Sequence, residues 1–480
     1  MELIGLIRRN SYHDSVALMR VSEQARALAG VVSAAVVMAT DLNREMLAEN
    51  GLLTDEAKTA GPNDLVVALR ATSSEAAGSA VATIEALLVS RRIESAAAAD
   101  VLPRSTISAA RRAEGATLAL ISVPGPYAAA EAQQALSAGL HVFLFSDVVP
   151  IEAEVALKRR AAARGLLVMG PECGTSIING VGLGFANRVR RGDIGLVGAS
   201  GTGLQEITTL IHRLGGGVSQ AVGTGGRDLH DAVGGLTTLQ ALEWLGADAE
   251  TRAIVLVSKP PSDSAAHRVL AAAAGIGKPV VACLLGWKGT PPGSVRILET
   301  LEEAALAALE AVGRRPLPLA VPSIDRPPGV GGGVRGLFTG GSLCEEAQAI
   351  VGDAGERFID FGAEIYTRGR PHPMIDPGLR NAAVSESGAD PAVGVVLVDV
   401  VLGDGAHGDP AGALAPAVAE AVTAARRSGR TLSLVAHVVG TDDDPQRLSL
   451  QETTLRDAGV SVCPTNRLAA ELARTIARGR

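Results

Sequence analysis

One short segment constrains this chain more than any other. The apolar strand Ile194–Val197 runs into a turn of small residues, and a helix opens at Leu204. The N-terminus of a helix presents unpaired backbone N–H groups and about half a positive charge, so it attracts phosphate. Glycine and serine let that backbone approach an anion closely. We therefore predict a phosphate-binding turn here, with an ordinary tight turn as the alternative. Its residues are Ser200, Gly201, Thr202 and Gly203.

A second strand that ends in glycines lies far downstream. The apolar run Val395–Leu402 is followed by Gly403, Gly405 and His407. Two such turns in one chain predict a phosphate held between them. Asp404 is a poor neighbour for phosphate, so His407 as a plain surface residue is the alternative.

The order of apolar segments predicts an α/β fold. From Ala116 onward, continuous apolar strands alternate with helices, which is typical of parallel sheets covered on both faces. Right-handed crossovers then give several three-layer parallel-sheet domains of Rossmann or flavodoxin-like type. We place domains at residues 1–100, 101–190, 191–315 and 336–480, with a linker rich in proline and glycine at 316–335.

Charge and cysteine content exclude several classes of protein. The net charge of −7 argues against a nucleic-acid binder. Four widely separated cysteines are typical of reduced thiols, so we expect a cytoplasmic protein without a metal site. We also expect no membrane association, because no apolar run approaches the ~18 residues of a membrane span.

A compact cationic run lies beside prolines at residues 368–372. Arg368 and Arg370 suit bidentate binding of phosphate or carboxylate, and His372 suits polarising a carbonyl oxygen or moving a proton. We assign catalysis to His372 and Arg370 and substrate binding to Arg368. The alternative is a rigid surface loop whose arginines pair with acidic neighbours.

Five further residues follow predicted strands or turns, where α/β sheets place ligands. Substrate contact is predicted for Arg227, Asp228, Thr441, Asp444 and Gln446. A loop ion pair is the alternative for Arg227 and Asp228, and helix capping is the alternative for the other three.

Several motifs resemble known families. Residues 116–312 resemble the α subunit of succinyl-CoA synthetase, and residues 336–480 resemble the C-terminal domain of its β subunit. The matching α-type stretches are Ser122–Pro126, Gly170–Thr175, Gly195–Thr202 and Gly223–Asp228. The whole chain more closely resembles the FdrA family, through Phe145–Asp147, Arg368–Pro377 and Gly440–Gln446. The resemblance implies a CoA-binding-like Rossmann domain at 101–190 and flavodoxin-like domains of the α and β types at 191–315 and 336–480.

The departures from succinyl-CoA synthetase matter equally. That enzyme phosphorylates a loop histidine, but the corresponding stretch Gly286–Gly293 has none, and Lys259 stands where a carboxylate would steady that histidine. No segment resembles the nucleotide-binding ATP-grasp domain. The segments that resemble phosphate-holding helix ends are retained.

The FdrA resemblance implies a carbamoyltransferase subunit. The family includes the large subunit of oxamate carbamoyltransferase, which acts with two other proteins in allantoin breakdown. We accordingly expect carbamoyl phosphate or another acyl phosphate as substrate, an amide acceptor such as oxamate, partner subunits, a homo-oligomer and no cofactor. One alternative is an NDP-forming acyl-CoA synthetase subunit that binds CoA. Another is a non-catalytic regulatory protein that binds an acyl phosphate or CoA.

Overall fold

The computed structural model describes residues 2–13, 15–96, 103–291, 293, 295–319 and 332–479. The chain divides into two compact units. The first consists of residues 1–112 with two short later segments, 122–124 and 364–371. The second contains the rest: residues 113–121, 125–363 and 372–480.

The first unit is a three-stranded antiparallel sheet packed between helices. Its strands are β1 (Glu2–Arg8), β2 (Val31–Met38) and β3 (Leu65–Ala71), in the order β1-β3-β2. Its helices are α1 (Ser15–Arg26), α2 (Asp41–Glu49), α3 (Asp55–Lys58), α4 (Ser74–Ala96), α5 (Thr106–Arg112) and, from the later segment, α13 (Glu364–Thr367). Side chains alternate between the two faces of a strand. Leu65 and Val67 of β3 accordingly pack with Leu18 and Ile84, whereas Val66 packs with the cluster around Leu47.

The second unit begins with a small parallel sheet. Its strands are β4 (Leu118–Ile121), β5 (His141–Leu144) and β6 (Val168–Met169), in that order. The helices between them are α6 (Gly125–Ser137) and α7 (Ile151–Ala162).

A seven-stranded sheet forms the centre of the second unit, in the order β13-β12-β11-β9-β10-β7-β8. Its strands are β7 (Thr175–Ile178), β8 (Val181–Gly184), β9 (Arg191–Ala199), β10 (Val218–Gly223), β11 (Ala253–Ser258), β12 (Val280–Leu284) and β13 (Arg296–Ile297). Its helices are α8 (Gly201–Arg213), α9 (Leu236–Ala247), α10 (Asp263–Ala274) and α11 (Leu301–Ala311). Strands β9 to β13 pair in parallel, whereas the hairpin β7–β8 joins β10 antiparallel.

A five-stranded parallel sheet completes the second unit, in the order β15-β14-β16-β17-β18. Its strands are β14 (Gly333–Phe338), β15 (Gly355–Asp360), β16 (Val393–Val401), β17 (Ser433–Val439) and β18 (Ser461–Cys463). Its helices are α12 (Gly341–Val351), α14 (Gly378–Ser387), α15 (Pro410–Arg427), α16 (Leu448–Asp457) and α17 (Asn466–Ala477). Every residue of β16 and β17 is buried, because both are apolar runs covered on both faces.

The predicted α/β class with parallel sheets is confirmed. Three boundaries differ from the sequence prediction. The hairpin at 175–184 joins the seven-stranded sheet rather than the preceding domain, the first unit extends past residue 100 to residue 112, and β14 starts inside the predicted linker. Residues 320–331 of that linker lie outside the described residues. In the described part of the chain, no helix combines the length and apolar character needed to cross a membrane.

Candidate functional site

The first predicted phosphate turn connects β9 to α8. Ser200 is the N-cap in extended conformation, and its Oγ accepts a hydrogen bond of 2.9 Å from the backbone N–H of Gly203. A side chain at Gly203 would collide with that hydroxyl group, so glycine is required for the cap. The cap uses one of the backbone donors at this helix start, and the remaining first-turn donors lie on Gly201 and Thr202.

A second helix start lies between β14 and α12. Its N-cap is Gly340, and within the described residues no side chain caps the helix. The buried side chain of Asp399, on β16, holds the turn that precedes this helix. That carboxylate accepts hydrogen bonds from the backbone N–H groups of Thr339 at 2.7 Å and Gly340 at 2.8 Å. The first-turn N–H groups of α12 therefore remain available to an outside acceptor.

These two helix starts meet. The hydroxyl oxygens of Ser200 and Ser342 are 2.5 Å apart, and a Cβ on Gly340 would lie 2.8 Å from the Thr202 side chain. Two N-termini, each carrying about half a positive charge, thus point to one place. An anion between them relieves their mutual repulsion.

A buried hydroxyl group beside α8 lacks a partner. Thr175 is only 2% exposed, and its Oγ1 makes no hydrogen bond among the described residues. A Cβ on Gly201 would lie 3.8 Å from this oxygen. An unsatisfied buried hydroxyl is costly, so this group is available to a water molecule or a polar ligand at the α8 start.

Lys259 brings a full positive charge to the same place. It follows β11, and its Nζ lies 3.6 Å from Asp360 Oδ2 at the end of β15. A Cβ on Gly341, the first residue of α12, would overlap both Lys259 Nζ and Asp360 Oδ2. A lysine against the positive end of a helix is unfavourable by itself, and Asp360 offsets this repulsion in part.

Two carboxyl groups surround the lysine. Burial raises the pKa of Asp360 above its usual value, although Lys259 and the backbone N–H of Gly362 act in the opposite direction. Burial also raises the pKa of Glu345 on α12, with Lys259 opposing the rise and Asp360 adding to it. Glu345 Oε2 is buried and has no hydrogen-bond partner in the described part of the chain. These are groups that exchange a proton more readily near neutral pH than surface carboxylates do.

His372 lies at the edge of this cluster as a neutral imidazole. Burial lowers its pKa to about 4, and the charge of Lys259 contributes to the shift. Its Nδ1 accepts a hydrogen bond of 3.2 Å from the backbone N–H of Met374, so the ring proton resides on Nε2. A Cβ on Gly362 would lie 2.8 Å from Nε2 and 3.1 Å from Asp360 Oδ1, which places both groups beside one glycine. His372 can therefore donate a hydrogen bond to an oxygen at neutral pH.

The second phosphate turn predicted from sequence does not open a helix. Helix α15 begins only at Pro410, and the Asp409 carboxylate caps it by accepting from the N–H of Gly412 at 3.0 Å. Gly403 and Gly405 instead pack against the backbone and ring of Phe185, whose ring centroid lies 5.7 Å from that of His372. The partner of the α8 start is therefore the α12 start, and the prediction that this seat consists of Gly403, Gly405 and His407 is corrected accordingly.

Asp228 and Arg227 have structural contacts. The buried Asp228 carboxylate accepts from Lys158 Nζ at 2.7 Å, and its other oxygen accepts from the Thr238 hydroxyl at 2.6 Å. Arg227 donates to the backbone carbonyl of Val149 at 2.8 Å. Each also forms an ion pair with helix α7, Asp228 with Lys158 and Arg227 with Glu154, so these contacts favour the ion-pair alternative.

The residues after β17 also have structural contacts. Asp444 accepts from the backbone N–H groups of Arg188 at 2.7 Å and Thr441 at 2.8 Å, and Gln446 exchanges two hydrogen bonds with the backbone of Gly403. Thr441 donates to the carbonyl of Arg188 at 2.8 Å. These three side chains hold loops together rather than facing an open space.

Arg368 and Arg370 are exposed and belong to the first unit. They follow the short helix α13, with Gly369 against Met46. Their predicted roles in catalysis and substrate binding stay predictions.

Sequence reasoning missed Lys259, Asp360 and Ser342 as members of one site. Lys259 and Asp360 both stand at the carboxyl ends of parallel strands, where α/β sheets place ligands, so this rule was the available signal. That rule does not predict that the strand ends of these two separate sheets lie next to each other.

Three family models match parts of the chain. Residues 1–102 match a model described as AllF, heavy metal-associated domain, residues 189–286 match a CoA binding domain, and residues 337–476 match a CoA-ligase model. The CoA-binding model thus covers the stretch that begins with β9 and α8, rather than residues 101–190.

The donor set of residues 1–102 does not fit a heavy-metal site. Soft metal ions are bound by cysteine thiolates and imidazoles. This stretch contains no cysteine and a single histidine, His13. In the part of the chain that the structure describes, no three His, Cys, Asp or Glu side chains are arranged to hold a metal ion.

Relatives cover the chain to different extents. The Escherichia coli K12 protein YahF is 40% identical over 98% of this chain and 97% of its own length. The α subunit of ADP-forming succinate–CoA ligase from Staphylococcus aureus is 30% identical over 39% of this chain and 62% of its own length. The solved apo form of dinucleotide-forming acetyl-coenzyme A synthetase 1 from Ca. Korarchaeum cryptofilum is 16% identical, with a TM-score of 0.35, over 77% of this chain and 85% of that chain. The chain therefore belongs to the same family as YahF and is a succinyl-CoA synthetase-like protein with a CoA-ligase domain.

Proposed function

We propose that this protein is an acyl-transfer enzyme of the CoA-ligase type that binds the phosphate group of an acyl phosphate between the α8 and α12 helix starts. The observation that carries the proposal is the contact between these two helix starts, together with Lys259 against the first residue of α12. Each helix contributes about half a positive charge and the lysine contributes one, and the Asp360 carboxylate offsets part of this while Lys259 pairs with it. The positive charge that remains favours binding of an anion.

The bound phosphate is held without a covalent bond to histidine. The stretch Gly286–Gly293 contains no histidine, and Gly286 packs against Pro260, next to Lys259. Hydroxyl groups of Ser200 and Ser342, together with the unpartnered Thr175 hydroxyl, supply neutral donors around the anion. A phosphate bound in this way can leave directly from the acyl carbon.

In this proposal, His372 contacts the acyl group of the substrate. Its neutral imidazole donates the Nε2 proton in a hydrogen bond to the carbonyl oxygen, where negative charge develops during attack. Removing a donor of this type typically lowers the rate by about 10²–10³-fold. His372→Gln should therefore lower turnover far more than it lowers the melting temperature.

The CoA thiol is the first candidate acceptor, because both CoA-related family models lie on the strands and helices that build the site. A second candidate is an amide nitrogen, as in carbamoyl transfer from carbamoyl phosphate to oxamate. The missing histidine favours this second reaction, because a carbamoyltransferase needs no phosphoenzyme. The FdrA resemblance, with its partner subunits, supports the same reaction.

Phosphate release separates these reactions. The purified chain, alone and with the proteins encoded beside it, is given acetyl phosphate or carbamoyl phosphate with CoA, with oxamate, or with neither. CoA-dependent release with formation of an acyl-CoA supports ligase-type chemistry, and oxamate-dependent release supports carbamoyl transfer. Binding of inorganic phosphate that Lys259→Met leaves unchanged would overturn the site itself.

A further inference from the structure

We propose that Lys259 and Asp360 form an exchange pair: the lysine leaves the carboxylate for the incoming phosphate, and Asp360 then accepts the proton of the attacking acceptor. This inference rests on the proposed function and assigns Asp360 as its catalytic base. It also predicts that anion binding is coupled to proton uptake by the protein.

The geometry places Lys259 between the Asp360 carboxylate and the start of α12. Its ammonium group is 3.6 Å from Asp360 Oδ2, which is an ion-pair distance rather than a close hydrogen bond. The same ammonium group lies against Gly341, where the backbone N–H groups of α12 begin. A phosphate received by those N–H groups comes into direct reach of the ammonium group, and a dianion attracts it more strongly than one carboxylate does.

The surroundings of Asp360 favour its protonation when Lys259 moves to the phosphate. One of its oxygens is fixed by the backbone N–H of Gly362 at 2.8 Å, so the carboxylate cannot follow the lysine. Its side chain is only 20% exposed, so water replaces the lost partner poorly. Loss of the lysine and arrival of a dianion both favour the protonated acid.

The remaining charged and titratable neighbours do not replace this pairing. Glu345 and the Cys344 thiol approach from α12, and His372 approaches from the other side of Gly362. The buried Asp399 is engaged by Thr339 and Gly340. Lys259 also opposes the rise in the pKa of Glu345, so its departure favours proton uptake there as well, whereas His372 stays neutral above about pH 4.

The transfer step balances without any further reagent. An anion alone draws the Asp360 proton from solvent, whereas with an acceptor bound the carboxylate takes the acceptor's proton instead. The thiol or amide of the acceptor attacks the acyl carbon, its proton passes to Asp360, and the bond between the acyl carbon and the phosphate oxygen breaks. The leaving phosphate takes that proton from Asp360, which regenerates the carboxylate. Lys259 returns to Asp360 when the phosphate departs.

Calorimetry with the full chain tests the pair. Sulfate serves as a dianion probe without a titratable proton at pH 7, and titrations in two buffers of different ionisation enthalpy count the protons taken up on binding. The wild type should take up a measurable fraction of one proton. Asp360→Asn keeps the acceptor for Gly362, should bind sulfate and inorganic phosphate about tenfold more tightly and should take up fewer protons than the wild type.

A surface pair of the same residue types provides the matched control. Lys58 and Asp55 form an exposed ion pair of 2.7 Å, so Asp55→Asn removes the same charge from the same kind of contact. This variant should leave anion affinity, proton uptake and turnover unchanged. Lys259→Met should weaken phosphate binding by more than tenfold, with the melting temperature used to confirm folding.

The outcomes separate this inference from the proposed function. Failure of the wild type to bind phosphate or sulfate would remove the site and the inference together. Binding without proton uptake, or Asp360→Asn that binds more weakly and retains turnover, would overturn the exchange pair alone.

Discussion

The substitution Gly341→Ala tests whether the start of α12 is an anion site. Gly341 is the first residue of the helix and does not have a left-handed backbone conformation, so alanine fits the local backbone. Its added methyl group would overlap Lys259 Nζ and Asp360 Oδ2, which are the ends of two side chains. The variant therefore fills the space that a phosphate oxygen is proposed to take, without touching the core.

The substitution should raise the stability of the protein slightly and lower its affinity for phosphate. Alanine reduces the freedom of the unfolded chain, which stabilises a compatible site by about 0.4–1 kcal/mol. Displacing the lysine removes a charge-assisted contact to the bound anion that contributes about 1.5–3 kcal/mol. The melting temperature should thus hold or rise slightly, whereas phosphate affinity should fall by roughly 10- to 150-fold.

Paired measurements on the same samples decide the matter. Isothermal titration with inorganic phosphate gives affinity, and differential scanning calorimetry gives stability. The control is Gly277→Ala, because a methyl group there meets open space and the backbone is equally permissive. Unchanged phosphate affinity in a stable Gly341→Ala protein would refute the α12 site, and a lowered melting temperature would show that the glycine serves packing.

Three other perturbations have calculable outcomes. Lys158→Met should lower the free energy of unfolding by about 3–5 kcal/mol in denaturant titrations, because it leaves the fully buried Asp228 without a cation and leaves the buried Glu154 with only Arg227. Burial raises the pKa of Glu346 from 4.5 to about 7, so its contribution to stability is complete below pH 4.5 and is lost as the pH rises through 7. The melting temperature should therefore fall between pH 5 and 8, and Glu346→Gln should flatten that slope. Asp399→Asn should weaken phosphate binding as well as folding, because the turn before α12 depends on this carboxylate; a stable variant with full affinity would contradict the assigned role.

The first helix start was predictable because its signals are local. A strand, a serine cap and two glycines lie within ten residues, and the structure orders them as the sequence suggests. The second was misplaced because glycine content alone does not locate a helix start. Between β16 and α15 the chain forms a long loop that Asp409 closes, whereas the less conspicuous Gly340 leads directly into α12.

The convergence of the two helix starts depends on tertiary packing, which no local pattern reports. Ser200 and Ser342 are separated by 142 positions in the chain and belong to different sheets. Their contact is stabilised behind the site by the buried pair of Glu206 on α8 and His437 on β17, whose Oε2 and Nε2 atoms are 2.8 Å apart. From the sequence, Glu206 and His437 were simply polar residues in apolar segments.

Under the proposed function, the two departures from succinyl-CoA synthetase amount to one change in how phosphate would be held. A phosphohistidine site needs an imidazole and a carboxylate that orients it. Lysine in place of the carboxylate would repel a charged imidazole, yet it is the appropriate residue for attracting a free dianion. With no histidine in Gly286–Gly293 and Lys259 against the α12 start, both differences favour reversible binding over covalent capture. Restoring only the histidine, with Trp287→His, should therefore give no acid-labile phosphoenzyme from labelled acetyl phosphate. Appearance of a phosphohistidine in that variant would show that Lys259 does not set the mode of binding.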